Sequence, residues 1–162
     1  MKTILFMCLI VCAVILSACG GPADISAYEN DPILIVGLLD EDFKITPREI
    51  AELDSVSRSA AFTTRRVGTV EATGPLLDTF LAQYGYVPSD FDRIRFFARD
   101  DYRIVLRGDH LLYYEIVMAV SAGREPLADE YQPLRLLIPG AESYMWIFAI
   151  DRIEFLREAP VR

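Results

Sequence analysis

The three cysteines of this chain, Cys8, Cys12 and Cys19, all lie within its first 19 residues. Whatever folds from Gly20 onward can close no disulfide and can offer no thiolate to a metal. Roughly 140 residues follow, enough for one domain with a substantial core and too few for two. That domain has to be held by apolar packing alone, even in an oxidising compartment where disulfides are permitted.

The beginning of the chain has a different character. Lys2 precedes an apolar run over residues 4–16 that is interrupted only by small or sulfur-bearing side chains. The run falls short of the ~20 residues a membrane-spanning helix needs, and its length and flanks suit the apolar region of a secretory signal. Leu16-Ser17-Ala18-Cys19-Gly20 resembles the lipobox of bacterial lipoproteins. That resemblance implies cleavage before Cys19, acyl chains on its thiol and new amine, and a mature chain held to a membrane by several buried lipid tails. An ordinary signal peptide ending near a cysteine is the plainer alternative. The expected organisation is a signal over 1–18, a tether over 19–32 and a folded domain over 33–157. The expected location is the cell envelope, lipid-anchored on the extracytoplasmic side in the periplasm or at the cell surface.

Lys2 is the only charge before Cys19, so the formal −8 of the whole chain becomes −9 once that segment is removed. A balance this acidic argues against a nucleic-acid partner and against electrostatic adhesion to anionic lipid. The cations are almost all arginine, the side chain suited to fixed, planar hydrogen bonding.

Residues 20–32 combine Gly-Gly-Pro with scattered polar residues and no apolar period, which reads as a tether. "ILIVGLL" (33–39) is a buried strand, and a short strand is expected around 43–45. Thr46-Pro47-Arg48-Glu49 has the features of a capped helix start, with proline at the first helical position and a carboxylate placed to return to the cap. Residues 55–70 are polar and β-branched, with strands or loops that periodicity does not place. "TGPLLDTFLAQYG" (73–85) is the strongest helix, opening at Thr73 or Gly74 and ending at Gly85. "RIRFFA" and "YRIVL" flank Arg99-Asp100-Asp101 as a β-hairpin. Residues 111–120, "PLRLLIPG" (133–140) and "MWIFAIDRIEF" (145–155) are expected strands. The sum is an α+β, mainly β-sheet domain with a few short helices.

The order of these motifs resembles the oxidoreductase molybdopterin-binding domain, the fold of the sulfite oxidase family. The resemblance runs over about residues 33–155. "TGPLLDTFLAQYG" is similar to the family's Trp-x-Gly-x-Pro-Leu helix, and Asp100-Asp101-Tyr102 to its Asp-Gly-Tyr turn. "VSAGREPLADEYQPLRLLIPG" resembles its Gly-x-Pro-Leu and Pro-Leu-Arg-Leu segments, and residues 146–154 its closing Trp and Ile-Glu pair. The resemblance implies a molybdenum held by a pyranopterin dithiolene and one protein cysteine, about a dozen residues before the Gly-x-Pro-Leu helix. Here that region is Ser57-Arg58-Ser59-Ala60-Ala61-Phe62-Thr63-Thr64, without a cysteine. Asp101 replaces the turn glycine, Met145 stands where a basic residue commonly precedes the Trp, and Glu71 or Ala72 stands in place of the family's first Trp.

Arg65 and Arg66 precede the helix near the implied pterin pocket and could hold a phosphate or carboxylate; a solvated pair balancing Glu71 and Asp78 is the plainer role. Arg135 matches the family's arginine and fits a buried ion pair better than a ligand contact. His110 reads as a surface turn, Asp40-Glu41-Asp42 as a solvated turn without calcium-loop spacing, and Tyr113, Tyr114 and Trp146 as core mass. No catalytic residue and no metal site is assigned.

Three readings follow. The preferred one is a membrane-anchored extracytoplasmic lipoprotein whose domain is a non-catalytic module binding a small anionic ligand or an envelope protein. The second is a molybdopterin-dependent oxidoreductase with a non-cysteine metal site. The third is a structural envelope lipoprotein. The signal carries no twin arginine, as export of a folded, cofactor-loaded protein would require, and this weighs against the second. Molybdopterin is the cofactor the family implies, and the missing thiolate opposes it.

Overall fold

A computed structural model describes residues 22–63 and 68–157. Cys19, Arg65 and Arg66 lie outside them. Along the chain the elements are β1 (Ile33–Val36), β2 (Phe43–Ile45), α1 (Pro47–Ala51), β3 (Ser55–Ala61), β4 (Thr69–Pro75), α2 (Leu77–Ala82), β5 (Arg93–Ala98) and β6 (Arg103–Arg107). Then come α3 (Asp109–Tyr113), β7 (Val117–Ala119), β8 (Ser121–Ala122), β9 (Glu125–Pro126), β10 (Arg135–Leu137) and β11 (Ile150–Leu156). The result is the expected α+β domain dominated by sheet.

A five-stranded sheet has the order β2-β1-β11-β5-β6. β1 runs parallel to β11, with Ile35 opposite Ile153, and the other neighbours are antiparallel. Strand alternation sends Ile33, Ile35, Ile94, Phe96, Ile104, Leu106, Ile153 and Phe155 into the core. A four-stranded sheet, β3-β4-β8-β9, and the β7–β10 pair cover the other side. Helix α2 fills the space between with Leu77, Phe80 and Leu81, and the Phe80 ring stacks on Phe155 at 6.4 Å.

Local chemistry explains several boundaries. Thr46 and Glu49 form the capping box at α1: the Glu49 amide donates to Thr46 Oγ1 (3.3 Å) and the Thr46 amide to Glu49 Oε2 (2.8 Å). Asp101, at φ 66°, turns the β5–β6 hairpin. Gly85, at φ 78°, ends the α2 segment, where the Tyr86 amide reaches back to the Leu81 carbonyl.

Other boundaries depart from expectation. The helix expected from Thr73 or Gly74 begins at Leu77, because β4 continues through Pro75 and lies against β7. The Val120 amide donates to the Thr73 carbonyl (3.0 Å) and the Leu77 amide to the Ile116 carbonyl (2.8 Å), so tertiary partners hold these residues extended. Residues 111–120 divide into the end of α3 and the short β7. The last strand begins only at Ile150. Met145, Trp146 and Ile147 are buried in succession, and a 3₁₀ turn at Ser143–Met145 with Ala149 at φ 53° carries them into the core before the strand begins.

Residues 24–31, which have the composition of a tether, pack onto the domain. Tyr28 is 1% exposed; its hydroxyl donates to the Val120 carbonyl (2.6 Å) and accepts from the Leu127 amide (2.9 Å). Glu29 pairs with Arg48. One aromatic among polar neighbours has no period to reveal it.

Candidate functional site

The β3–β4 hairpin carries the region where the resemblance expects a ligating cysteine. β3 pairs along its whole length with β4, Ser57 opposite Thr73 and Ser59 opposite Glu71. Its core-facing side chains are Val56, Arg58 and Ala60; Ser57 and Ser59 face outward. Ser57 Oγ and Thr73 Oγ1 are hydrogen-bonded across the strands at 2.7 Å. At the end of the hairpin Thr63 Oγ1 accepts from the Ser143 amide (2.7 Å) and donates to Ser143 Oγ (3.2 Å). The Phe62 ring packs on Trp146 at 5.6 Å. Arg58 of β3 is engaged with both oxygens of Glu115 at 2.7 and 2.8 Å. That fork holds the Glu115 carboxyl below its ordinary pKa, chiefly by hydrogen bonding.

Beside this end of the hairpin is a mainly aromatic pocket of about 300 Å³, whose lining includes Asp100, Tyr102, Ser143, Tyr144, Trp146 and Phe148. Trp146 forms its floor, fixed by its indole N–H donating to the Ile138 carbonyl at 3.0 Å. Tyr102 and Tyr144 stand 48% and 64% exposed at the rim, and the Tyr102 hydroxyl donates to the Tyr144 carbonyl (3.0 Å). Phe148, 37% exposed, meets Tyr131 edge-on at 4.9 Å. A second, shallower groove of about 540 Å³ crosses the outer face of the four-stranded sheet, between Ser57, Ser59, Glu71, Thr73 and Arg124.

Arg135 is buried in β10, with its guanidinium carbon 4.6 Å from the centre of the Tyr131 ring. His110 is half-buried and stacks on Tyr114 at 6.0 Å, inside the short α3 and not in a turn. Trp146 is core as expected, but Tyr113 is 77% exposed and Tyr114 only half-buried, since the one turn of α3 buries Leu111 instead. No group of three or more His, Cys, Asp or Glu that could hold a metal ion occurs among the described residues. Sequence reasoning missed the rim aromatics. Their only signal was position: Tyr102 follows a tight turn, and Tyr144 and Phe148 flank a tryptophan outside the strand period.

A mainly β domain with short helices between a mixed five-stranded sheet and a smaller antiparallel one is the architecture of molybdopterin-binding domains of the sulfite oxidase fold. The chain belongs to the oxidoreductase molybdopterin binding domain family, whose profile matches residues 33–161. Among solved structures it is similar to the sulfane dehydrogenase SoxCD from Paracoccus pantotrophus, with a TM-score of 0.64 and 17% identity over 82% of this chain. The match spans 39% of that longer chain. No curated protein matches the sequence.

The residues present do not fit the metal that the family resemblance implies. Molybdenum in that setting takes a soft thiolate, whereas the described hairpin offers only oxygen donors, the hydroxyls of Ser55, Ser57, Ser59, Thr63, Thr69 and Thr73 and the Glu71 carboxylate, poor substitutes for a thiolate. Those of Ser57 and Thr63 are already hydrogen-bonded within the protein.

Proposed function

We propose that this chain is a lipid-anchored, extracytoplasmic module of the molybdopterin-binding fold that binds a partner and does not catalyse redox chemistry. The carrying observation is the β3–β4 hairpin. It has no thiol, Thr63 is tied to Ser143, and Phe62 is packed on Trp146. The aromatic pocket beside it supports a binding role. Its rim of Tyr102, Tyr144 and Phe148 presents ring faces with few polar groups, which suits an aromatic or aliphatic side chain of an envelope protein better than a small anion. Cys19 is the anchor in this reading.

The full chain, produced in a host that makes molybdenum cofactor, is expected to purify with neither molybdenum nor pterin. Metal analysis and the fluorescence of oxidised pterin check this. Near-stoichiometric molybdenum would overturn the reading and make the protein an enzyme with an oxygen ligand; pterin without metal would replace the protein partner by a pterin-like ligand.

A further inference from the structure

The outer face of the five-stranded sheet reverses the charge of the protein. Alternation that buries Ile94 and Phe96 in β5, and Ile104 and Leu106 in β6, turns Arg93, Arg95, Arg103 and Arg107 outward. Cross-strand register adds the rest: Arg93 lies opposite Arg107, Phe97 opposite both Arg103 and Arg152, and Leu34 opposite both Arg152 and Lys44. Six cations thus share one face of a chain whose net charge is −8. The carboxylates among them are few. Glu154 sits 3.5 Å from Arg95 and 3.6 Å from Arg152, Asp92 pairs with Arg93, and Asp151, at the β11 bulge, and Asp101 line the hollow beside Lys44 and Arg152. Lys44, Arg103 and Arg107 have no carboxylate within ion-pair distance among the described residues.

We infer that this face docks on the anionic headgroups of the membrane that holds the anchor, an inference that rests on the lipid-anchored reading above. Three observations select that occupant. Charge complementarity is the first: the Debye length of about 8 Å at physiological salt lets the contact be governed by the near face, with the acidic remainder of the protein turned away. The second is reach. Eight residues separate Cys19 from the docked Tyr28, a span of at most roughly 30 Å. Asp31, paired with Arg99 at 2.8 Å, and Pro32 bring the chain in at the rim of this face, beside a hollow shared by Lys44, Phe97 and Arg152. The anchor thereby keeps the face at high local concentration over the bilayer. The third concerns Phe97. The Arg152 guanidinium lies 3.8 Å over its ring, so the ring is no open platform for stacking a nucleic-acid base, while an arginine-capped aromatic suits the interface of a bilayer.

The test uses the full lipidated chain in vesicles. Because Cys19 would carry lipid, a cysteine introduced by Val105→Cys, between Arg103 and Arg107, takes a fluorescent label specifically; Ser59→Cys labels the exposed side of β3 as the control. Nitroxide-bearing lipids are expected to quench the Val105 label several-fold more than the Ser59 label in vesicles rich in phosphatidylglycerol, but not in pure phosphatidylcholine. The double variant Arg103→Glu/Arg107→Glu, at two exposed positions, should abolish the difference and lower partitioning roughly 25-fold, about fivefold for each lost cation. Equal quenching at both labels on an acylated protein overturns the docking and leaves the anchor standing. If mass spectrometry finds Cys19 without acyl chains, the anchored reading falls and flotation of the chain with phosphatidylglycerol vesicles decides. Co-flotation lost in the double variant supports the docking face, and no flotation overturns it. Retention by single-stranded DNA or polyglutamate without any response to phosphatidylglycerol also overturns it.

Discussion

Replacing Tyr28 by alanine is expected to destabilise the domain by about 4 kcal/mol, a large part of the 5–15 kcal/mol of a typical domain. The change empties a fully buried aromatic site. It also strands the Val120 carbonyl and the Leu127 amide, which the phenol bonds at 2.6 and 2.9 Å. Tyr28→Phe keeps the ring and separates the terms: leaving those two backbone groups unsatisfied should cost about 2–3 kcal/mol. Urea unfolding of both variants beside the parent is the measurement. A loss below about 0.5 kcal/mol for alanine would mean that residues 24–31 are an independent tether. The phenol also predicts a pH dependence. Burial raises the Tyr28 pKa above the ordinary phenol value of about 10, so the folded state favours the neutral form. That contribution is complete below pH 10 and is lost as pH rises through 10 towards the folded value, because the unfolded chain ionises first. Tyr84 is shifted in the same direction by burial. The alkaline fall in stability should therefore become shallower in Tyr28→Phe without disappearing.

Gly74→Ala should be at least as severe. A β-carbon at Gly74 would lie 2.0 Å from the Met118 carbonyl oxygen, 2.8 Å from its carbon and 2.9 Å from the Ala119 α-carbon. All three are backbone atoms of β7, so no side chain can rotate away. β4 and β7 would have to separate, at a cost of about 4 kcal/mol or more, or the chain would fail to fold. Thr73→Ala next to it loses only the hydroxyl contact with Ser57 and should cost under about 1 kcal/mol. Thermal unfolding distinguishes them; a Gly74→Ala protein as stable as Thr73→Ala would show that β4 and β7 can part cheaply.

The same glycine shows why parts of the fold were legible and parts were not. Gly74-Pro75-Leu76-Leu77 looks like a helix start, and the helix does follow, three or four residues late. What displaces its start is the β7 segment, about forty residues further on, whose flanking residues Val120 and Ile116 bond the backbone of Thr73 and Leu77. The Thr46–Glu49 cap is legible in the sequence because its partners lie within one turn. Asp101 and Gly85 agree with expectation because aspartate and glycine are residue types that tolerate a positive φ. Tyr28 was misjudged because a lone aromatic gives no period, and Tyr113 because an apolar stretch does not say which of its rings faces inward.

The amino-acid order alone determined the absence of any thiol after Cys19, the apolar run before it, the short strands with their caps and turns, and the order of motifs that marks the family. All of these are covalent facts or interactions among near neighbours. The tertiary structure decided what the surface offers. Lys44, Arg95, Arg103 and Arg152 are scattered through a chain rich in acid, and only the register of β2, β1, β11, β5 and β6 places them on one face. Tyr102, Tyr144 and Phe148 likewise meet over Trp146 only after β5 and β6 lie beside β11. Pairing between distant strands is selected by the burial of the opposite face of the sheet, so the outward pattern is a consequence of core packing and carries no local signature.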